Sequence, residues 1–210
     1  MTSPPSDTKS AVITSVITPE YSREERQVLL HLAHRAINAA LDVQKLDLTP
    51  PSPHLAQPRG AFTTLHLQGK LRGCIGYVLP KHSLFQTVAE TAQAAAFEDP
   101  RFVPVTPDEA PLLSIEISVL SKLQPIQPQE VVIGLHGLVV TKGGRRGLLL
   151  PQVPSEWGWD RETFLAQTCL KAGLPPDSWR QGIELQAFTA EVFGEEASPA
   201  PSSKVPSKGY

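Results

Sequence analysis

Apolar positions between Ser22 and Gln44 fall in pairs about one helical turn apart: Val28/Leu29, Leu32/Ala33, Ala36/Ile37 and Ala40/Leu41. That spacing builds one continuous face and predicts a helix. Ser22 followed by Glu25 matches a capping box at its start. Thr49-Pro50-Pro51-Ser52-Pro53 then excludes helix. Two extended runs follow, Ala61 to Gln68 and Leu71 to Val78, with Gln68-Gly69-Lys70 as the predicted hairpin turn. A second helix is predicted from Ser83 to Phe97, capped by Ser83 with Gln86 three residues on. Asp99-Pro100-Arg101-Phe102 ends it, with Asp99 or Arg101 expected to pin backbone groups.

Leu112 to Leu120 alternates. Leu113, Ile115, Ile117 and Val119 are expected to face a core, and Ser114, Glu116 and Ser118 to face away from it. Leu138 to Thr141 and Gly147 to Leu150 predict a hairpin around Lys142-Gly143-Gly144-Arg145-Arg146. Asp160 to Ala172 predicts a helix, with Asp160 as N-cap and Gly173 as its stop. Ile183 to Phe193 reads as one final strand. Pro151-Gln152-Val153 with Trp157 and Trp159 reads as a rigid loop, and an exposed tryptophan there would mark a partner surface. Strands arrive as hairpins, with helices between groups of strands and no regular strand–helix alternation. The expected class is therefore α+β, a mostly antiparallel sheet with flanking helices.

Composition narrows the functional classes. The chain has 210 residues, 40% hydrophobic and 19% charged, with a formal net charge of −2. No basic excess is present to capture nucleic acid. No run approaches the roughly 18 apolar residues of a membrane span. The first residues lack a basic region followed by an apolar core, so a signal peptide is not expected and the location expected is cytoplasmic. Residues 1–17 and 197–210, rich in small and polar residues, are expected to be flexible tails around a single domain over 18–196.

The two cysteines, Cys74 and Cys169, cannot form a disulfide framework or a four-cysteine zinc site. The six histidines are scattered, so no metal site and no cofactor are called for. Neither a Walker loop nor a Ser-His-Asp signature is present. Cys169 sits among Phe164, Leu165 and Ala172 and reads as core. Cys74 lies between glycines, with Arg72 two residues before it. Access and positive charge there would favour a thiolate. Along a regular strand Arg72 and Cys74 share one face, with Gly73, Ile75 and Tyr77 on the other. A bulge at the glycines would re-aim the cysteine. Candidate bases are His136, Glu116 and His66, and Arg72 is a candidate anion clamp.

The run Leu71-Arg72-Gly73-Cys74-Ile75-Gly76 does not stand alone. Asp99-Pro100-Arg101-Phe102, Ile115-Glu116-Ile117-Ser118-Val119-Leu120 and His136-Gly137-Leu138 follow it. Then come Gly147-Leu148-Leu149-Leu150-Pro151-Gln152-Val153, Trp159-Asp160 and Cys169-Leu170-Lys171-Ala172-Gly173-Leu174-Pro175-Pro176. In this order, over roughly Pro19 to Phe193, the chain resembles the AMME chromosomal region protein 1 family, component A of the AmmeMemoRadiSam system. The resemblance implies two unequal lobes with a cleft between them. It also implies a gene-neighbourhood association with a Memo-like protein and a radical SAM enzyme, hence an accessory or regulatory role.

Two readings follow. In the first, a cleft lined by Arg72, Gly73, Ile75 and Gly76 binds a small anionic ligand or a protein partner. In the second, Cys74 is a nucleophile or redox thiol, with Glu116 or His136 as acid/base. Both expect Arg72, Cys74, Glu116 and His136 to converge on one cleft.

Overall fold

The computed structural model describes residues 19–195. The expected tails, 1–17 and 197–210, lie outside the described residues. Helix α1 spans Arg23–Leu41, and both halves of its capping box are made: Glu25 N–H donates to Ser22 Oγ and Ser22 N–H to the Glu25 carboxylate. Such a cap contributes about 1 kcal/mol. Strands β1 (Ala61–Leu67) and β2 (Lys70–Tyr77) form the first hairpin. Its turn is two residues, Gln68 and Gly69, both at positive φ, the geometry that matches strand twist. Helix α2 is Leu84–Phe97, with Ser83 as N-cap. Strand β3 is Leu113–Leu120, and its alternation is the expected one.

The second half contributes β4 (Gln124–Pro125), β5 (Gly137–Lys142), β6 (Arg145–Leu149) and the short helix α3 (Gln152–Glu156). Helix α4 (Arg161–Lys171) follows, then β7 (Glu184–Phe188) and β8 (Ala190–Gly194). Among the described residues all pairings are antiparallel, in two four-stranded sheets ordered β2-β1-β3-β8 and β4-β7-β5-β6. The class is α+β, as the pattern of elements indicates.

Two departures from the sequence pattern have clear causes. The single expected strand Ile183 to Phe193 is broken at Thr189: β7 belongs to the second sheet and β8 to the first. The chain also changes sheets between β3 and β4. The two crossings are tied together, because Ser121 N–H donates to Thr189 O and Thr189 N–H donates to Ser121 Oγ. The expected loop after Leu150 contains a short helical turn instead, α3, which Pro151 can begin because its missing N–H falls where no intrahelical bond is needed.

Helices α1 and α2 cover one face of the first sheet. Leu65, Ile115, Ile117 and Val119 meet Leu29, Leu32, Val88 and Ala92 there. Alanines let α2 lie close, and Gly73 completes the fit: a Cβ on it would meet Ala95 O at 2.1 Å. Helix α4 covers the second sheet through Phe164, Leu165 and Cys169, packed on Leu138, Val140 and Leu185. A smaller cluster of Leu120, Val139 and Phe188, with Phe62, Leu148 and Leu150, joins the other faces of both sheets. That junction fills only part of the space between the sheets, and the rest of the first sheet's second face holds the candidate site.

Candidate functional site

The hairpin register decides what faces this space. Leu67 pairs with Lys70 and His66 with Leu71, but Leu65 pairs with Gly73. Arg72 is the extra residue of a bulge. Without it, the two-residue turn would set Cys74 opposite Thr63, on the helix-covered face. With it, Cys74 pairs with Thr64, and Thr64 pairs on its other side with Glu116. Cys74, Thr64 and Glu116 thus form one row across three strands on the uncovered face. His66 and Ser114 form the next row on one side, Gly76, Phe62 and Ser118 on the other.

The row lines a cavity of about 310 Å³, walled by Phe62, Leu120, Leu150 and Val192, with Ser118 and Gln152 at its polar side. Gly76 allows the Phe62 wall, since a Cβ there would lie 2.2 Å from the ring. Thr64 Oγ1 donates to Cys74 Sγ at 3.3 Å. Among the described residues that line the cavity, Glu116 is the one charged side chain and none is basic. Among the described residues, the Glu116 carboxylate has no hydrogen-bond or ion-pair partner. A second depression, lined by His66, Ser114 and Glu116, adjoins the cavity through the shared Glu116.

Cys74 lies on an edge strand, and its backbone is held from outside. Its N–H donates to Asp99 Oδ2 at 2.9 Å, and its carbonyl accepts from the Arg101 guanidinium at 3.4 Å. Asp99 is itself gripped by Arg101, through Nε at 2.9 Å and Nη2 at 2.6 Å. That grip and the Cys74 N–H hold the Asp99 carboxyl far below the usual carboxylate range, against the cost of burial. Asp99 and Arg101 therefore do what the sequence pattern expects of them, pinning backbone groups, and the backbone they pin is that of Cys74.

The convergence of four residues expected from the sequence is reduced to two. Cys74 and Glu116 share the cavity. Arg72, displaced by the bulge, is buried elsewhere: it donates to both Glu109 carboxylate oxygens, at 3.2 and 3.0 Å, and to Pro104 O. His136 is absent from the lining. Its Nδ1 accepts the Val132 N–H at 3.1 Å in a local turn, and burial lowers its pKa. Gly73 and Ile75 face α2, and Gly76 lies beneath Phe62. Thr64, Phe62 and Gln152 were not proposed as site residues from sequence; Ser118 was placed on the polar face beside Glu116. Thr64 and Phe62 sit on the solvent parity of their strand, but only the bulge brings them beside Cys74. Cys169 is fully buried, and burial pushes its thiol up.

Among the described residues, no group of three or more His, Cys, Asp or Glu side chains is placed to hold a metal ion. No described helix is long and apolar enough to cross a membrane.

Known proteins are similar to this chain in sequence and in fold. Residues 30–193 match the family model AMMECR1. Protein MK0488 of Methanopyrus kandleri is 45% identical over 190 residues, covering 85% of this chain and 92% of its own. A protein of Thermococcus gammatolerans is 44% identical over 195 residues, covering 86% of this chain and 95% of its own. The crystal structure of "Uncharacterized Protein PH0010" from Pyrococcus horikoshii superposes with a TM-score of 0.67 at 42% identity, over 83% of this chain and 93% of that one. The chain belongs to the AMMECR1 family.

Proposed function

We propose that this protein is a binding module, accessory to an AmmeMemoRadiSam-type system, and that its site is the cavity over Cys74, Thr64 and Glu116. The observation that carries the reading is the unpaired Glu116 carboxylate in a mostly apolar cavity. Desolvating a charge without a partner is costly, so a ligand that supplies the opposite charge gains affinity there. The anionic ligand expected from sequence rested on Arg72, whose guanidinium Glu109 already engages. The lining favours instead an apolar stem ending in an amine or guanidinium, on a small molecule or as a side chain of a partner protein. A Memo-like protein and a radical SAM enzyme are the partners that the family resemblance implies. In that arrangement the radical chemistry belongs to the partner.

The test is a titration of the labelled protein with n-butylamine and with butyrate, followed by amide chemical shifts. The expected result is a saturable shift at Thr64, Cys74 and Ser118 with the amine alone, lost in Glu116→Gln. Equal responses to amine and carboxylate would overturn the reading.

One observation favours a second reading, a thiol enzyme: the Thr64 hydroxyl donates to Cys74 Sγ. A hydroxyl donor holds the sulfur in one orientation at the cavity wall. Cys74 would be the nucleophile or redox thiol, with Glu116 as acid/base; His136 is not at hand for that task. Alkylation of Cys74 at a rate no faster than that of a free thiol, with no dependence on Thr64, would remove this reading.

A further inference from the structure

Glu116 does not sit at the blind end of its cavity; it stands between two hollows. Ser118 lies two residues after it on β3 and Ser114 two residues before it, all on the open face. Ser118 lines the cavity of about 310 Å³, and Ser114 lines the adjoining depression, of about 240 Å³. At about 3.3 Å per residue the two serines are about 13 Å apart along the strand, with Glu116 midway.

The hollows differ in character. Phe62, Leu120, Leu150 and Val192 wall the first. The second is bordered by His66, Ser114 and Glu195, with Gly69 and Gly194. Glu195 is already engaged: it accepts the Ile115 N–H at 2.9 Å and pairs with His34 at 2.9 Å. Ser114 and His66, opposite each other on β3 and β1, supply a hydroxyl and an imidazole that can donate to a carbonyl.

Gly194 leaves the passage beside Glu116 clear. The two residues pair across β3 and β8, so both belong to the open face. Gly194 has ordinary strand backbone, and its conformation does not call for glycine. A Cβ there would come within 3.3 Å of Glu116 Cα and Cβ, and a longer side chain would stand beside the carboxylate.

A ligand that ends at its cation fills one hollow only. One with an apolar group on one side of the cation and a polar chain on the other fits both. Lysine and arginine side chains end at their cations. The α-ammonium of a peptide does not, because the carbon that bears it carries both the first side chain and the rest of the chain.

We propose that this site binds the N-terminus of a peptide or protein whose first residue is apolar. The inference rests on the reading of the cavity as a cation site and extends it past the cation. The α-ammonium pairs with Glu116, and the first side chain enters the apolar hollow. The chain leaves past Gly194, with its first carbonyl toward Ser114 and His66. Capture of a terminal amine is a recurring mode of peptide recognition.

The test is a titration of the labelled full-length protein with the amide of Leu-Gly-Gly, its N-acetyl form and n-butylamine, followed by amide chemical shifts. The free peptide is expected to bind about tenfold or more tighter than n-butylamine, from the contacts beyond the cation. It should shift His66 and Ser114 as well as Thr64, Cys74 and Ser118. Acetylation removes the charge and should abolish binding, as should Glu116→Gln. In Ser114→Phe, which fills the second hollow, the advantage over n-butylamine should vanish while n-butylamine still binds. A peptide no tighter than n-butylamine in the wild type, or an advantage that survives in folded Ser114→Phe, would overturn this inference and leave the cation site standing. Equal binding of the acetylated peptide would also overturn it, since the apolar hollow alone would then explain the affinity. Failure of both the peptide and n-butylamine to bind would overturn the inference together with the cation site.

Discussion

The two faces of the first sheet are built from the same strands and do opposite work. Toward α1 and α2, most alternate residues are apolar and sealed: Leu65, Ile115 and Ile117 are at most 1% exposed. The residues between them, Thr64, Ser114, Glu116 and Ser118, are half-buried and polar, and on that side the second sheet closes only part of the face. A sheet whose two faces were both for stability would place apolar residues on each. The polar parity here costs packing and leaves a cavity, with a thiol and an unpaired carboxylate in one row. The covered face holds the fold together, and the open face is free to carry function.

The largest effect that would break this comparison is on stability. Ile117→Ala is expected to cost about 3 kcal/mol in urea denaturation, as buried large-to-small changes do. Its neighbour Ser118→Ala is expected to change stability by less than about 0.5 kcal/mol. Comparable losses at the two positions would show that the open face is also structural.

Next comes the clamp on Cys74. Asp99→Ala leaves the Cys74 N–H and the Arg101 guanidinium without their partner, and a loss of about 2 kcal/mol is expected. The pH dependence has a definite sign. The folded-state pKa of Asp99 is depressed, so its contribution is fully present above the unfolded value, about 4, and is lost as pH falls toward the folded value. The gap between wild type and Asp99→Ala should therefore be constant near neutrality and narrow in strong acid. A gap that widens on acidification would contradict the assignment.

Reactivity sharpens the contrast between the two thiols. Limiting alkylation of the native protein, with mass mapping, should label Cys74 and leave Cys169 intact until unfolding. Burial raises the Cys169 pKa and denies access, whereas Cys74 lines a cavity. Equal protection of both would remove the thiol-enzyme reading.

The smallest expected effect concerns His136. Its depressed pKa means that the unfolded chain binds the proton more readily, so stability attributable to it is present at and above about pH 6.5 and falls below that. His136→Gln should flatten the melting temperature between about pH 7 and pH 5.5, by a fraction of the Asp99 effect. An unchanged pH profile would show that burial of His136 does not depress its protonation.

Much of the fold was legible because strong local signals agreed. Ser22 with Glu25, the alternation through Leu113 to Val119 and the cap at Asp160 each fixed an element close to its observed limits. Thr189 was not legible, because a strand that changes sheets carries the same alternation as one that continues. The site was only half legible, for one reason. Glu116 lies on the face its parity suggests, but Cys74 reaches that face only because a single extra residue at Arg72 moves it across from Thr64 and sends the arginine to Glu109. A bulge shifts register by one, and nothing in local composition says how far. His136 drew attention as a lone imidazole beside a glycine, yet its partner is a backbone N–H four residues away, a contact that depends on the turn between them.

The account rests on the cavity over Cys74 and Glu116 being a binding site, and protection of the thiol measures that directly. The alkylation rate of Cys74 should fall progressively with added n-butylamine in the wild type, stay constant with butyrate, and stay constant with either in Glu116→Gln. A Cys74 rate that is indifferent to the amine at saturating concentration, in a folded protein, would contradict the account.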